Sequence, residues 1–263
     1  MTDTNFPLVT VITVVFNDCK SIEKTIINVT NQTYSNLEYI IVDGGSKDGT
    51  LDIIKKYISK TSKYISEPDN GIYDAMNKGV AMAKGEWIIF MNSGDWFYEL
   101  TTVNDIFSNY DITDAEIIYG NTLKRSVDKS RIDIPSKPST FWRNLVVHQS
   151  IFSRRTLNLK YPFDLQFKVA ADFDFIFKIF YFKHKAVYND TIISSFDMSG
   201  FSKDNRYIGF REDRRIALKY SGNRMLGYIV FIYYVYVHSR GKGIDLIRHY
   251  CPSLFNSLKK LNK

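Results

Sequence analysis

Residues 8–16, 37–42, 64–66 and 87–91 are short apolar runs separated by segments of helical spacing, so residues 8–91 spell strand, helix, strand, helix, strand, helix, strand. Such alternation constrains the chain to an α/β architecture, a mainly parallel sheet flanked by helices and joined by right-handed crossovers. The run at 8–16 is almost continuously apolar, as a strand buried on both faces must be. The helical segments fall at 21–31, with Ile22, Ile26, Ile27 and Val29 apolar, at 51–59, with Asp48 or Thr50 as N-cap, and at 72–84, stopping at Gly85.

Two of these strands run straight into acidic turns. The second ends in Asp43-Gly44-Gly45-Ser46-Lys47-Asp48-Gly49-Thr50 and the fourth in Asn92-Ser93-Gly94-Asp95. Oxygen ligands at the carboxyl ends of parallel strands stand where open α/β sheets bind their ligands. They point to a nucleotide site with a metal near its phosphates. Further on, the pattern predicts a helix at 103–109, a strand at 116–119, a polar loop over the site at 121–140, a strand at 146–152, and an apolar helix at 171–182 opened by Asp172.

Charge is distributed unevenly. Residues 201–263 hold 13 Lys and Arg against 4 Asp and Glu, a balance of +9, while the whole chain carries +7. Residues 225–237 are apolar or Tyr except Gly227, a stretch too short for a bilayer span of ~20 residues. Together they suggest a helical extension, residues 221–263, that follows a catalytic domain at 1–220 and touches an anionic membrane surface. Cys19 and Cys251 are the only cysteines and form no CxxC pair, which argues for a reducing, cytoplasmic setting and against a thiolate metal site.

Taken in order, residues 11–17, 42–50, Asp69-Asn70-Gly71-Ile72-Tyr73-Asp74-Ala75-Met76-Asn77-Lys78-Gly79, and Asn92-Ser93-Gly94-Asp95 resemble the family 2 glycosyltransferases, inverting enzymes of GT-A fold that use nucleotide sugars. The resemblance implies that Val15, Phe16 and Asn17 line the base and that Asp43 accepts hydrogen bonds from base or ribose. It implies that the turn of Asp69 and Gly71, with Asp74, faces the donor phosphates or sugar. Where the family's metal motif usually reads Asp-x-Asp, this chain has Asn92, Ser93 and Gly94, so Asp95 is left to anchor Mg²⁺ or Mn²⁺ while Asn92 holds ribose or a metal-bound water. His148 would reach the diphosphate or its ion.

An inverting transfer needs a carboxylate to take the acceptor's proton. The family places it at a helix start, where this chain has Ala170-Ala171-Asp172-Phe173-Asp174. Asp172 is the expected base, with Asp174 the alternative. The resemblance extends to bacterial enzymes of surface-polysaccharide synthesis, and so to a glycan or lipid-linked acceptor and a UDP donor. Two rivals differ in class. A nucleotidyltransferase would usually carry a Gly-rich basic loop after its first strand, and Val14-Val15-Phe16-Asn17-Asp18 has none. A nucleic-acid-binding protein would explain the basic C-terminal residues but not the acidic strand ends.

Overall fold

The structure, a computed structural model, describes residues 6–108, 112–126, 129–135, 146–198 and 205–221. The chain divides into two compact units, residues 1–206 and 207–263. In the first, β1 (Val9–Val15), β2 (Leu37–Asp43), β3 (Lys63–Ser66) and β4 (Trp87–Phe90) alternate with α1 (Ile22–Thr30), α2 (Thr50–Lys56) and α3 (Ile72–Met82). The four strands are parallel in the order β3-β2-β1-β4. Every residue of β1 is buried, as its unbroken apolarity requires. Its two threonines are satisfied inside: Thr10 donates to Glu38 at 2.6 Å and Thr13 to the Met91 carbonyl at 2.7 Å.

Strand order reverses at β1, which puts the crevice for a ligand beyond the carboxyl ends of β1 and β4. Past β4 the sheet becomes mixed. The further elements are β5 (Trp96–Phe97), α4 (Thr102–Ser108), β6 (Ile117–Arg125), β7 (Ser130–Asp133), β8 (Ile151–Arg154), α5 (Arg155–Lys160), α6 (Ala171–Tyr181) and β9 (Ala186–Asp197). β8 runs antiparallel between β4 and β6, and β9 pairs parallel with β6 and antiparallel with β5. The described part of the second unit, residues 207–221, belongs to helix α7 (Arg206–Ser221).

Three expectations change. Residues 121–125 and 130–133 are strand, not loop. Thr122 is buried there by pairing with hydroxyls of neighbouring elements, its Oγ1 lying 2.7 Å from Ser150 Oγ, which in turn lies 2.6 Å from Ser194 Oγ. Residues 136–145 of that expected loop lie outside the described residues. The expected strand at 146–152 is a 3-10 turn over His148–Ser150, and β8 begins only at Ile151. Helix α3 stops at Met82 with an extended cap at Ala83, so Gly85 is not its cap. Gly85 is there because its amide meets Thr10 Oγ1 at 2.9 Å, and a Cβ would come within 2.7 Å of the Thr10 backbone nitrogen.

Candidate functional site

Three loops converge at the carboxyl ends of β1, β2 and β4, and side chains tie them together. After β1, Asn17 adopts a left-handed conformation, and its Oδ1 accepts the Lys47 amide at 2.9 Å while its own amide donates to Ser46 Oγ at 2.7 Å. Asp48 crosses the same gap, accepting the amides of Cys19 and Thr50 at 3.0 Å each. The Thr50 hydroxyl donates to it as well, and that bond is the largest of the causes holding the carboxyl well below the usual range. It caps α2 one residue ahead of the glycine that precedes that helix. Ser93 donates to Asp18 at 2.7 Å, joining the third loop to the first.

Within this frame the sequence-predicted residues separate into two kinds. Some are turned inward. Asp43 is fully buried and accepts from the Ser46 amide, from Ser46 Oγ and from Ser66 Oγ at 2.5 Å. In this arrangement it braces the β2 turn. Asp74 accepts the Asn70 amide at 2.9 Å and lies 3.8 Å from the Lys78 ammonium, so it closes the turn at the start of α3. Asn77 is pinned to the backbone of Phe163 by two bonds of 2.9 Å.

Others face outward. Phe16 is 63% exposed, and the backbone around it is fixed by the Gly44 amide donating to the Val15 carbonyl at 2.9 Å. A Cβ on Gly44 would lie 2.5 Å from Asp69 Oδ2 and 3.2 Å from the Phe16 ring. The absence of a side chain at Gly44 therefore makes room for Asp69, whose Oδ1 accepts the amide of Gly71 at 2.9 Å. Gly71 itself has a φ of 107°, a conformation suited to glycine. A bare phenyl ring, a carboxylate and open backbone thus share one corner of the crevice.

At its other side three residues from distant segments form a chain. His148 Nδ1 lies 2.9 Å from Asp172 Oδ2, and Asn92 Nδ2 lies 3.1 Å from His148 Nε2. A carboxylate only accepts, so the proton sits on Nδ1 and Nε2 accepts from the Asn92 amide. Asp172 Oδ1 also takes the Tyr73 hydroxyl at 2.7 Å and the Phe173 amide at 2.9 Å. Burial pushes the Asp172 carboxyl upward, but the bond from His148, then those from Tyr73 and the Phe173 amide, outweigh it and hold it below its ordinary value. Its side chain keeps 26% of its surface. Asp174, the alternative base, is fully buried and pairs with Lys178 at 2.7 Å. Two residues apart on α6, the carboxylates point different ways, as the helix dictates.

Asp95 differs from both. It is 4% exposed, its Oδ1 accepts the Asp197 amide at 3.0 Å and its Oδ2 the Gln149 amide at 2.8 Å. Burial pushes its carboxyl up to about 6, against the pull of these bonds and of the Arg125 charge. Arg125 donates to the Gly94 carbonyl at 2.9 Å and stacks on Trp96, its guanidinium carbon 3.4 Å from the ring centre. Nor does any cluster of three or more His, Cys, Asp or Glu gather to hold an ion among the described residues. A hard ion favours charged oxygen ligands, and the one carboxylate of this motif is sealed inward, so these residues do not fit a divalent ion. Asn92 Oδ1 in this motif is a buried carbonyl oxygen that meets no donor. A ligand hydroxyl would satisfy it.

The sequence model described as glycosyl transferase family 2 matches residues 10–186, well over half the chain. The chain belongs to that family. A PGL/p-HBAD biosynthesis glycosyltransferase of Mycobacterium bovis is 29% identical over 179 residues, spanning 66% of this chain and 70% of that relative. A cholesterol galactosyltransferase of Borreliella burgdorferi is 28% identical over 200 residues, spanning 65% of this chain and 55% of the relative. Among solved structures, S. aureus TarS residues 1–349 in complex with UDP-GlcNAc superposes with a TM-score of 0.66 at 17% identity, covering 90% of this chain and 75% of TarS. The mannosyltransferase PcManGT of Pyrobaculum calidifontis, in complex with GDP-Man and Mn²⁺, gives 0.63 at 16% identity, with 97% and 85% covered. The fold is GT-A, and the family 2 chain is a glycosyltransferase.

Sequence patterns missed three residues that shape this site: Tyr73, Gln149 as the partner of Asp95, and Arg125. Each acts across at least 31 positions of sequence, through contacts that no local spacing encodes. The Ser199-Gly200-Phe201-Ser202 segment, which the family resemblance also singles out, lies outside the described residues.

Proposed function

We propose that this glycosyltransferase moves one sugar, with inversion, from a nucleoside-diphosphate donor, UDP first among them, to a hydroxyl of a glycan or lipid-linked acceptor. The observation that carries this reading is the Asp172 carboxylate: held ionised, partly open to solvent, and linked through His148 to Asn92 at the end of β4. Proton transfer to Asp172 as the acceptor oxygen bonds the anomeric carbon would let the sugar–phosphate bond break, its electron pair leaving with the diphosphate. The nucleoside would lie on Phe16 beside Asp69, along the backbone of Val15 to Asn17, with the turn of Gly71 and Asp74 toward the phosphates and Ser93 holding the loop beneath. Asn92 Oδ1 would receive a ribose hydroxyl.

Sugar nucleotides in the TarS and PcManGT structures support the donor class, and the name of the cholesterol galactosyltransferase supports a lipid alcohol as acceptor. We assign Asp95 to the scaffold and route no step through a metal. The test is a panel of UDP-, GDP- and dTDP-sugars, followed by thermal shift and by release of nucleoside diphosphate, with the product anomer read by NMR. No stabilisation by any member, or retention at the anomeric centre, would overturn the reading.

A membrane surface would bring a lipid acceptor within reach. No helix among the described residues is long and apolar enough to cross a membrane, and residues 225–237 lie outside them. Arg240, Lys242, Arg248, Lys259, Lys260 and Lys263 would contribute ~1 kcal/mol each at an anionic surface. The full chain is expected to float with anionic vesicles at low salt and to release at high salt. Failure to float sinks the peripheral role.

A further inference from the structure

Asp172 is held from both of its oxygens, and the two holders come from different parts of the fold. Tyr73 lies in the first turn of α3 and His148 in the 3-10 turn before β8, and they meet Asp172 across 99 and 24 positions of sequence. The Tyr73 ring is buried and packs on Phe163 with centroids 5.6 Å apart, so its hydroxyl is delivered by a fixed body. That hydroxyl has one proton and two acceptors, Asp172 Oδ1 and the Val169 carbonyl, each 2.7 Å away. A charged acceptor draws it more strongly than a neutral one.

We propose that Tyr73 and His148 are positioning residues that aim the carboxylate of Asp172 so that one lone pair of Oδ2 is presented to the acceptor hydroxyl. The inference rests on the reading of Asp172 as the base. A carboxylate offers about four lone-pair sites. Oδ1 receives two donors, Tyr73 and the Phe173 amide, and Oδ2 receives one, His148. One site on Oδ2 stays open, and it lies on a side chain with a quarter of its surface in solvent. The proton of the acceptor hydroxyl moves to that site as its oxygen bonds the anomeric carbon and the diphosphate leaves. His148 and Tyr73 are the titratable groups that face Asp172, one on each oxygen, and each favours its charged form by donating to it. Because His148 also receives the Asn92 amide, the base is held by the same polar chain that ends at the strand terminus.

The test compares Tyr73→Phe, His148→Gln and Asp172→Asn in the full chain, reading kcat, donor KM, UDP affinity, melting temperature and the acid limb of kcat/KM. Losing one donor to a charged group is expected to lower kcat about 10-fold and to move the acid limb up by about one pH unit, with donor KM and UDP affinity held within about twofold. Asp172→Asn should slow transfer by roughly 10² or more. If it does, and the limb stays put in both other variants whatever their rates, the positioning role is overturned while the base reading stands. If Asp172→Asn retains full transfer, both fall. A variant that melts early but keeps the wild-type limb also counts against the proposal, because loss of packing alone does not move that pH.

Discussion

The turn after β4 and the first turn of α6 each carry a carboxylate drawn largely out of water, and the protein treats them oppositely. Asp95 has two neutral donors, the Gln149 amide and a backbone amide, and burial wins, pushing it up to about 6. Asp172 has three donors, among them a tyrosine hydroxyl and an imidazole, and these win over burial. The number and kind of donors, and not depth alone, decide which carboxylate stays charged. Exposure then separates their uses. A group sealed at 4% exposure braces a loop, whereas one with a quarter of its side chain open can meet a substrate.

The comparison breaks most visibly at Asp172. Asp172→Asn keeps the size and polarity but removes basicity, and transfer is expected to slow by roughly 10² or more with UDP affinity unchanged. Asp174→Asn should act on the other axis. It weakens a buried ion pair with Lys178 and lowers the melting temperature, leaving the chemistry of the surviving fold intact. Steady-state rates and melts of the two variants decide, and a larger rate loss for Asp174→Asn would move the base to that residue.

Much of the first half of this picture was legible in the sequence. The strand–helix alternation of residues 8–91 is local, because a buried parallel strand must be apolar throughout and each turn must be polar. The four motif segments stand at those strand ends and name the family. The mixed half was harder to read. β6 continues through Asn121, Thr122, Lys124 and Arg125, residues that look like loop until β9 and the hydroxyls of Ser150 and Ser194 are seen to pair with them. The apolar neighbours of His148 spell a strand, yet a 3-10 turn is what aims its ring at Asp172. Motif spacing names a carboxylate but not the donors around it. Spacing alone therefore does not show that Asp43 and Asp95 each accept hydrogen bonds from neighbouring loops.

Asp95 gives a second, smaller test of the same comparison. Its folded value is raised above the ordinary ~3.9 of an aspartate. The stability it contributes is therefore fully present below that ordinary value and is lost as pH rises through about 6. Asp95→Asn stays neutral and keeps an oxygen for the Asp197 amide, while its new amide hydrogens can meet Gln149 Oε1, now a buried oxygen without a partner. The variant should melt with the wild type below pH 4 and a few degrees above it at pH 8, for a cost of at most ~2–3 kcal/mol. Repeating the pH 8 melts with Mn²⁺ sharpens the assignment. Stabilisation of the wild type by the ion, absent from Asp95→Asn, would make Asp95 a metal ligand and refute its role as a brace.

Gln149→Leu should have the smallest effect, because two terms oppose each other there. The substitution removes the donor to Asp95 Oδ2 and strands a buried charge, which by itself costs ~1–3 kcal/mol. It also removes Gln149 Oε1, whose burial without a partner was already unfavourable. A net loss of about 1 kcal/mol is expected at pH 8, shrinking toward pH 5 as Asp95 takes up its proton and needs the donor less. Because this network ends at Asp95 and the Asp172 carboxylate draws on other donors, kcat should remain within about twofold. Melts at the two pH values, alongside one rate measurement, are enough. A loss of equal size at both pH values would mean that Gln149 serves packing and not the charge of Asp95. A large fall in kcat would mean that the two carboxylates share one network, and the contrast between the two turns would no longer hold.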